Sequence, residues 1–107
     1  MIAKTGPINE TALVGMVLRY LRVHKRMAWV QRMNTGVARR YVKFGFKGCS
    51  DLIGQTIDGK FVALEGKAKN GVISEEQQLF IDKVKRYHGL AGVCRSIEDV
   101  DTLLATV

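Results

Sequence analysis

The stretch that decides the fold is residues 48–69, GCSDLIGQTIDGKFVALEGKAK. Two segments rich in apolar residues flank an Asp-Gly pair (residues 58–59), which predicts two strands joined by a tight turn. Asp51 stands at the start of the first strand, and Glu65 and Lys67 stand near the end of the second. Because buried charges must be paired or bind a metal, this concentration of charge predicts a functional site.

The length of the hairpin loop decides whether these charged side chains share a face. With a two-residue loop, Asp51 lies on the face away from Glu65 and Lys67. With a three-residue loop, residues 57–59, Asp51 lies opposite Glu65 and all three side chains share one face; such a loop favours glycine at its last position, as found here. A bulge at Gly54 would also shift the register by one residue and so bring Asp51 onto the face of Glu65 and Lys67. We predict one of these two devices.

The charge of the chain is one-sided. Its 107 residues, predicted to form a single domain (1–107), carry a formal net charge of +7, and no acid occurs between Glu10 and Asp51. This balance indicates a polyanionic partner, for which nucleic acid is favoured over an anionic membrane because no amphipathic helix with an aromatic face is evident. The candidate DNA-binding residues are Arg19, Arg22, Arg26, Arg39, Arg40, Lys43, Lys47 and Lys69.

The expected location is the cytoplasm. The first ten residues lack the apolar block of a signal peptide, and no run approaches the roughly 20 apolar residues of a membrane-spanning helix. Cys49 and Cys94 have no metal-type spacing, so they are interpreted as two reduced thiols, with a disulfide between them as the alternative.

A helix and two strands are predicted before the hairpin. The helix begins near Glu10, with Asn9 as its cap, and ends near residues 25–26. Its apolar stripe is Leu13, Val17, Tyr20, Leu21 and His24. Residues 28–33 and 37–44 are predicted as paired strands with a turn at residues 34–36.

The part of the chain after the hairpin predicts a β-α-β unit. Ser74 and Gln77 fit a capping box for a helix over residues 74–87, which Gly89 ends. The predicted stripe of that helix consists of Leu79 or Phe80, with Ile81, Val84 and Tyr87. Residues 90–94 suit a buried parallel strand, and Ser96 caps a last helix to about residue 104. The predicted class is therefore α/β with a mixed sheet.

Two carboxylates on one face repel each other unless a cation lies between them. A hard divalent ion such as Mg²⁺ suits Asp51 and Glu65, and Lys67 could then orient a water or stabilise charge on a phosphate. Gln77 could be a cap or a ligand, and Glu10 a helix-start acid or a ligand; the spacing leaves both alternatives open.

Four segments resemble one family. GCSDLIG, FVALEGKAKNG, ISEEQ and GLAGVCRS, between about residues 48 and 99, resemble the virus-type replication-repair nuclease (VRR-NUC) domain of the PD-(D/E)XK superfamily. The resemblance implies a restriction-endonuclease-like core, with Asp51, Glu65, Lys67, Gln77 and Glu10 as catalytic residues. It further implies Mg²⁺ or Mn²⁺ as cofactor, and small phage-type members that act as homodimers on branched DNA such as four-way junctions, inside a bacterial or phage-infected cell.

Two positions depart from the family pattern. Ser50 replaces the proline of the superfamily name, and Gly66 stands where a bulky apolar residue is usual. We expect Gly66 to lose packing in the core but to keep its carbonyl as a third metal ligand beside Asp51 and Glu65. The favoured function is metal-dependent cleavage of branched DNA, a Holliday-junction-type resolution. The alternatives are a non-catalytic nucleic-acid-binding module and a sequence-specific restriction-type nuclease.

Overall fold

A computed structural model describes residues 9–33 and 46–105. The elements in order are α1 (Glu10–Arg22), β1 (Met27–Arg32), β2 (Leu52–Thr56), β3 (Phe61–Gly66), α2 (Glu75–Arg86), β4 (Leu90–Cys94) and α3 (Ile97–Leu104). The predicted turn at residues 34–36, the predicted strand over residues 37–44 and the basic residues Arg39, Arg40 and Lys43 lie outside the described residues.

The described strands form one mixed sheet in the order β1-β2-β3-β4. β1 pairs with β2 and β2 with β3 in antiparallel fashion, whereas β4 lies parallel to β3. A parallel pair needs a crossover, which α2 supplies. The prediction of an α/β class with a mixed sheet and a β-α-β unit is therefore confirmed, and the architecture is compatible with a restriction-endonuclease-like core.

Helices cover both faces of the sheet. On one face, α1 and α3 pack against the inward side chains of β3 and β4 in a core that includes Leu13, Val17, Val62, Leu64 and Leu104. On the other face, α2 packs over a smaller apolar cluster of Ala63, Ile81, Val84 and Ala91. Because side chains alternate along a strand, Glu65 follows Ala63 onto the α2 face of the sheet.

The first helix begins where predicted and ends earlier. Asn9 accepts a hydrogen bond from the backbone N–H of Ala12 at 2.8 Å, which confirms the N-cap. The predicted end near residues 25–26 is wrong, since α1 ends at Arg22. His24 explains the difference: its ring nitrogen Nδ1 accepts from the backbone N–H of Arg26, which turns the chain into β1.

The capping box of α2 is confirmed, but its predicted apolar stripe is partly wrong. Ile81 and Val84 are buried, whereas Leu79 is 60% exposed and Tyr87 is 72% exposed. At 100° per residue, Leu79 lies about 160° around the helix from Ile81, so the two cannot share a face. Of the two predicted alternatives, Phe80 takes the inward position, so that alternative is confirmed and Tyr87 is the wrong member of the stripe. His88, with φ 74°, and not Gly89, adopts the left-handed conformation that follows the helix.

The two cysteines are separate buried thiols, so the disulfide alternative is wrong. Burial raises the pKa of both thiols, that of Cys94 to about 12, and both are protonated at neutral pH. Within residues 9–33 and 46–105, none of the helices combines the length and the apolar character needed to cross a bilayer.

Candidate active site

The hairpin adopts the three-residue loop. Gln55 pairs with Phe61, and the backbone N–H of Thr56 donates to the carbonyl of Lys60 at 2.9 Å, which leaves residues 57–59 as the loop. Gly59 has φ +94°, the left-handed conformation that such a loop requires at its last position. The same register, Leu52 with Leu64, brings Asp51 opposite Glu65. The predicted bulge at Gly54 is not used.

Asp51 and Glu65 face the same side of the hairpin as predicted. One carboxylate oxygen of Asp51, Oδ2, accepts the backbone N–H of Gly66 at 2.9 Å, which holds the side chain against β3. Glu65 is only 2% exposed, and among the described residues its oxygen Oε1 has no hydrogen-bond partner. A buried carboxyl oxygen without a hydrogen-bond partner is costly to stability, so Glu65 calls for an explanation other than packing.

The electrostatics of the pair follow from this burial. Desolvation, and after it the charge and hydrogen bond of the neighbouring Asp51 carboxyl, raise the pKa of Glu65 from 4.5 to about 8. Lys67 lowers that pKa but does not cancel the effect. A cation placed between two such acids would remove both causes of the shift, the missing solvation and the like charge.

Lys67 completes the charged face. Its ammonium nitrogen Nζ lies 3.7 Å from Oε2 of Glu65 and 3.9 Å from Oε1 of Glu10. The side chain is 13% exposed, so the carboxyl groups of Glu65 and Glu10 flank a mostly buried cation. The backbone N–H of Lys67 donates to the carbonyl of Cys94 at 3.1 Å, which extends the parallel pairing of β3 and β4 by one residue.

Glu10 reaches the site from the first turn of α1. Its Oε2 lies 3.5 Å from the backbone N–H of Ala68, while its other oxygen faces Lys67. Glu10 is therefore confirmed as a helix-start acid, and it also contacts the segment that carries Lys67; its role as a ligand stays a prediction.

The predicted cap role of Gln77 is confirmed, and the same side chain contacts Glu65, whereas its role as a ligand stays a prediction. Its Oε1 accepts the backbone N–H of Ser74 at 2.8 Å, as in a capping box, and its Nε2 donates to Oε2 of Glu65 at 2.9 Å. Because the cap uses the amide oxygen, the amide nitrogen must face the acid. The first turn of α2 therefore orients Glu65.

The expectation that Gly66 leaves a packing defect is wrong. A Cβ atom built on Gly66 would lie 2.7 Å from the Cγ2 methyl of Val14 on α1, so that methyl already fills the space. The glycine allows α1 to approach the sheet closely, and Glu10 is carried to the site on the same helix.

The described basic residues do not all gather at the site. Arg19 and Arg22 are exposed near the far end of α1, about 14–18 Å along the helix from Glu10. Arg26 donates from its guanidinium to the carbonyl of Leu104, a structural contact with the end of α3.

Two further candidate DNA-binding residues, Lys47 and Lys69, are exposed. Lys47 is 81% exposed and lies 3.4 Å from Glu76. Lys69 is exposed in the segment that follows Lys67.

Arg95 was missed by the sequence analysis. Its guanidinium nitrogen Nη1 donates to the carbonyl of Ala68 at 2.6 Å and lies 3.4 Å from the carbonyl of Lys69, and so fixes the segment after Lys67. The signal was available: parallel pairing of Gly66 with Cys94 brings the next residues of the two strands, Lys67 and Arg95, side by side.

The site and the fold together define a domain of the restriction-endonuclease-like class, with an acid on each strand of a hairpin and a lysine two residues after the second acid. The family model of the VRR-NUC domain matches residues 4–98. The chain therefore belongs to the VRR-NUC family, which is a nuclease family, and its expected substrate class is DNA. No curated protein and no solved structure matches the chain.

Nuclease domains of this kind generally use divalent metals. In the part of the chain that the structure describes, no three His, Cys, Asp or Glu side chains form a metal-binding group. Asp51 and Glu65 nonetheless fit an ion that takes two carboxylates and fills its remaining positions with carbonyl oxygens and water, as Mg²⁺ does. The unpartnered oxygen of Glu65 is the feature of the chain that such an ion would satisfy.

We expect Glu65→Gln to stabilise the metal-free protein at alkaline pH. Because the folded pKa of Glu65 lies above its usual value, the stability that its protonated form contributes is complete below pH ~4.5 and is lost as the pH rises towards 8. Glutamine stays neutral, so the variant should be more stable than the parent by about 1–3 kcal/mol at pH 8.5 and nearly equal to it at pH 4.5.

Urea unfolding in EDTA at the two pH values measures this difference. Glu75→Gln, which changes an exposed acid in the first turn of the same helix that supplies Gln77, is the control and should change stability by less than about 1 kcal/mol at either pH. A pH-independent difference between Glu65→Gln and the parent would contradict the assignment of charge burial to Glu65.

Proposed function

We propose that the protein is a Mg²⁺- or Mn²⁺-dependent endonuclease that hydrolyses phosphodiester bonds in branched DNA, with four-way junctions as the preferred substrate. The observation that carries this proposal is the common face of Asp51, Glu65 and Lys67 on one hairpin. The family supplies the coarser statement, a nuclease acting on DNA. The metal, the DNA structure and the residue roles are our inference.

Asp51 and Glu65 would hold the ion, with the carbonyl of Gly66 as a third protein ligand. When bound, such an ion activates water and neutralises charge on the phosphate. Asp51 is already oriented by the N–H of Gly66, and Glu65 by the amide of Gln77. The acids therefore need little rearrangement, and preorganisation of this kind lowers the cost of binding.

Lys67 acts on the reacting phosphate and its attacking water. A cation fixed between Glu65 and Glu10, in a site that excludes most water, stabilises negative charge that develops on a phosphate oxygen. Glu10 positions this lysine through its carboxylate and positions the backbone beyond it through the N–H of Ala68. Gln77 and Glu10 are thus positioning residues for Glu65 and Lys67.

The basic residues would bind the DNA backbone away from the reacting bond. Lys69 is close to the site, while Arg19 and Arg22 lie at the distant end of α1 and would contact a second part of the substrate. Such contacts supply affinity without sequence information, since each neutralises one phosphate. This favours recognition of DNA structure over a restriction-type reading of base sequence.

Resolving a four-way junction requires two paired cuts, and we propose that the protein works as a twofold homodimer. It would act in the cytoplasm of a bacterial or phage-infected cell. A non-catalytic DNA-binding module is the second candidate. Its only support was the departure at Gly66, and the methyl of Val14 accounts for that glycine without loss of the site.

Cleavage assays separate these functions. We expect a labelled synthetic four-way junction to be cut in Mg²⁺ or Mn²⁺ at symmetric positions, linear duplex of the same sequence to be cut at least about 10-fold more slowly, and EDTA to stop both reactions. Binding of both substrates without cleavage would favour the non-catalytic module. Cleavage of linear duplex at one short sequence would favour a restriction-type enzyme.

Arg95 provides a positioning test. Because its guanidinium fixes the carbonyl of Ala68, Arg95→Met should loosen Lys67 and lower kcat by about 10-fold or more, with KM for the junction within about threefold. Arg95→Lys should recover little, since one ammonium group does not reproduce the planar, multi-donor geometry of the guanidinium. A KM raised by about 10-fold or more with an unchanged kcat would instead indicate that Arg95 contacts a phosphate of the substrate.

A further inference from the structure

The outward face of α2 is more apolar than a solvated helix surface needs to be. Leu79 is 60% exposed, Tyr87 is 72% exposed, and Phe46, which lies edge-on against Phe80 at 5.1 Å between ring centroids, is 53% exposed. We call the outward residues Phe46, Glu76, Leu79, Lys83, Arg86 and Tyr87 the α2 face. A contiguous exposed apolar patch rimmed by charge indicates an interaction surface.

The surface is grooved and not flat. One shallow groove is lined by Leu79, Lys83, Arg86 and Tyr87, together with Asp82, and a second by Phe46, Leu79 and Lys83 with their neighbours. The two grooves share Leu79 and Lys83, so they flank the same central ridge. A side chain of a partner helix can enter either one, as in the packing of ridges into grooves.

The charges of α2 are separated along its length. Glu75 and Glu76 lie in the first turn, whereas Lys83, Lys85 and Arg86 lie in the last. With Asp82 included, the helix carries three acids and three bases, and its formal charge is zero. A neutral helix with acidic and basic ends does not suit a polyanion, but it does suit a copy of itself that runs in the opposite direction.

We propose that the α2 face binds the α2 face of a second copy in antiparallel orientation and forms the twofold interface of the dimer. The inference rests on the proposed function, which needs two joined sites. In this arrangement the twofold axis passes between Leu79 and Lys83, Glu76 faces Arg86 of the second copy, and Tyr87 covers Phe46 of the second copy. Twelve residues give a contact about 18 Å long, and antiparallel helix dipoles add a favourable term.

The arrangement also links the interface to the candidate active site. Gln77 is one residue from Glu76 and donates to Glu65 at 2.9 Å, so the helix that forms the interface also orients a candidate metal-binding acid. The ion pair of Glu76 with Lys47 is exposed and contributes little, so Glu76 can exchange it for Arg86 of the second copy.

The test measures molar mass by sedimentation equilibrium and compares charge reversals. We expect the parent to be a dimer at micromolar concentration and Leu79→Glu to be a monomer. Val23→Glu, which changes an 83% exposed apolar residue at the end of α1, should remain a dimer. Glu76→Arg and Arg86→Glu should each raise the Kd of the dimer by about 10-fold or more, and the double reversal should bring it back to within about threefold.

Several outcomes would overturn the proposal. The parent should not be a monomer at 100 µM, which is about 10–100 times the Kd of a dimer that forms at micromolar concentration. A monomeric parent at that concentration would contradict the proposal, as would a dimeric Leu79→Glu variant or additive effects of the two charge reversals. If Leu79→Glu weakens DNA binding and leaves the mass unchanged, the α2 face binds nucleic acid and not a second copy. Unfolding curves of all variants exclude misfolding as the cause of a lost dimer.

Failure of the nuclease proposal would look different. Leu79→Glu should still nick plasmid in Mg²⁺ but should lose paired cleavage of the junction, because the single site stays intact. A parent that forms the dimer through this face and nicks nothing would contradict the nuclease function and leave the interface standing.

Discussion

Lys67→Ala is expected to lower the rate of junction cleavage by about 10²–10³-fold, the effect of removing one preorganised electrostatic group at a reacting centre. The substitution removes the cation that lies 3.7 Å from Glu65 and leaves the exposed basic residues in place. DNA affinity should therefore change by less than about threefold, since one mostly buried lysine supplies little of the contact with the phosphate backbone.

Single-turnover cleavage in Mg²⁺ and fluorescence anisotropy in EDTA separate the two quantities. Lys60→Ala is the matched control, because it removes the same charge at the other end of the same strand region, about 20 Å away, and should keep the parental cleavage rate to within threefold. Loss of binding together with cleavage would show that Lys67 holds the substrate and does not act on the reacting group.

Gly66→Val is expected to destabilise the protein by about 1–3 kcal/mol, the usual cost of overpacking a core. The new Cβ would lie 2.7 Å from the Cγ2 methyl of Val14, so the helix and the strand must separate. Val14→Ala removes that methyl and should relieve the strain. The double variant Val14→Ala, Gly66→Val should then be at least about 1 kcal/mol more stable than the sum of the single changes predicts.

Urea unfolding of the four proteins of this cycle gives the coupling energy. The matched control pairs Gly66→Val with Leu13→Ala, since the nearest atom of Leu13 lies at 3.8 Å from the same position, an ordinary contact. Coupling with Val14 and not with Leu13 would establish that α1 and β3 approach each other through this pair. Additive effects in both cycles would contradict it.

The face of the hairpin on which Asp51 lies could be predicted because it depends only on the neighbouring sequence. A side-chain period of two allowed only two devices that place Asp51 on the face of Glu65, and the loop of residues 57–59, which ends in glycine, is the one that the protein adopts. Caps are local as well, which explains why Asn9, Ser74 and Ser96 were identified from spacing alone.

Other features depend on contacts between distant segments, and spacing does not report them. The double role of Gln77 requires the distance from α2 to β3, and the fit of Gly66 requires the position of Val14, 52 residues earlier in the chain. The error at Tyr87 was of a different kind. An apolar residue near a helical stripe was assumed to belong to it, although its side chain is 72% exposed.

The central claim is that Asp51 and Glu65 bind a divalent ion on the face they share with Lys67. Electron paramagnetic resonance tests this claim without reference to activity. Mn²⁺ is titrated into the protein, and bound metal is measured by the loss of the signal of free Mn²⁺. The parent should bind Mn²⁺ with a Kd below about 1 mM, and Asp51→Asn and Glu65→Gln should each weaken binding by about 10–100-fold. Equal Mn²⁺ binding by the parent and both variants would contradict the claim.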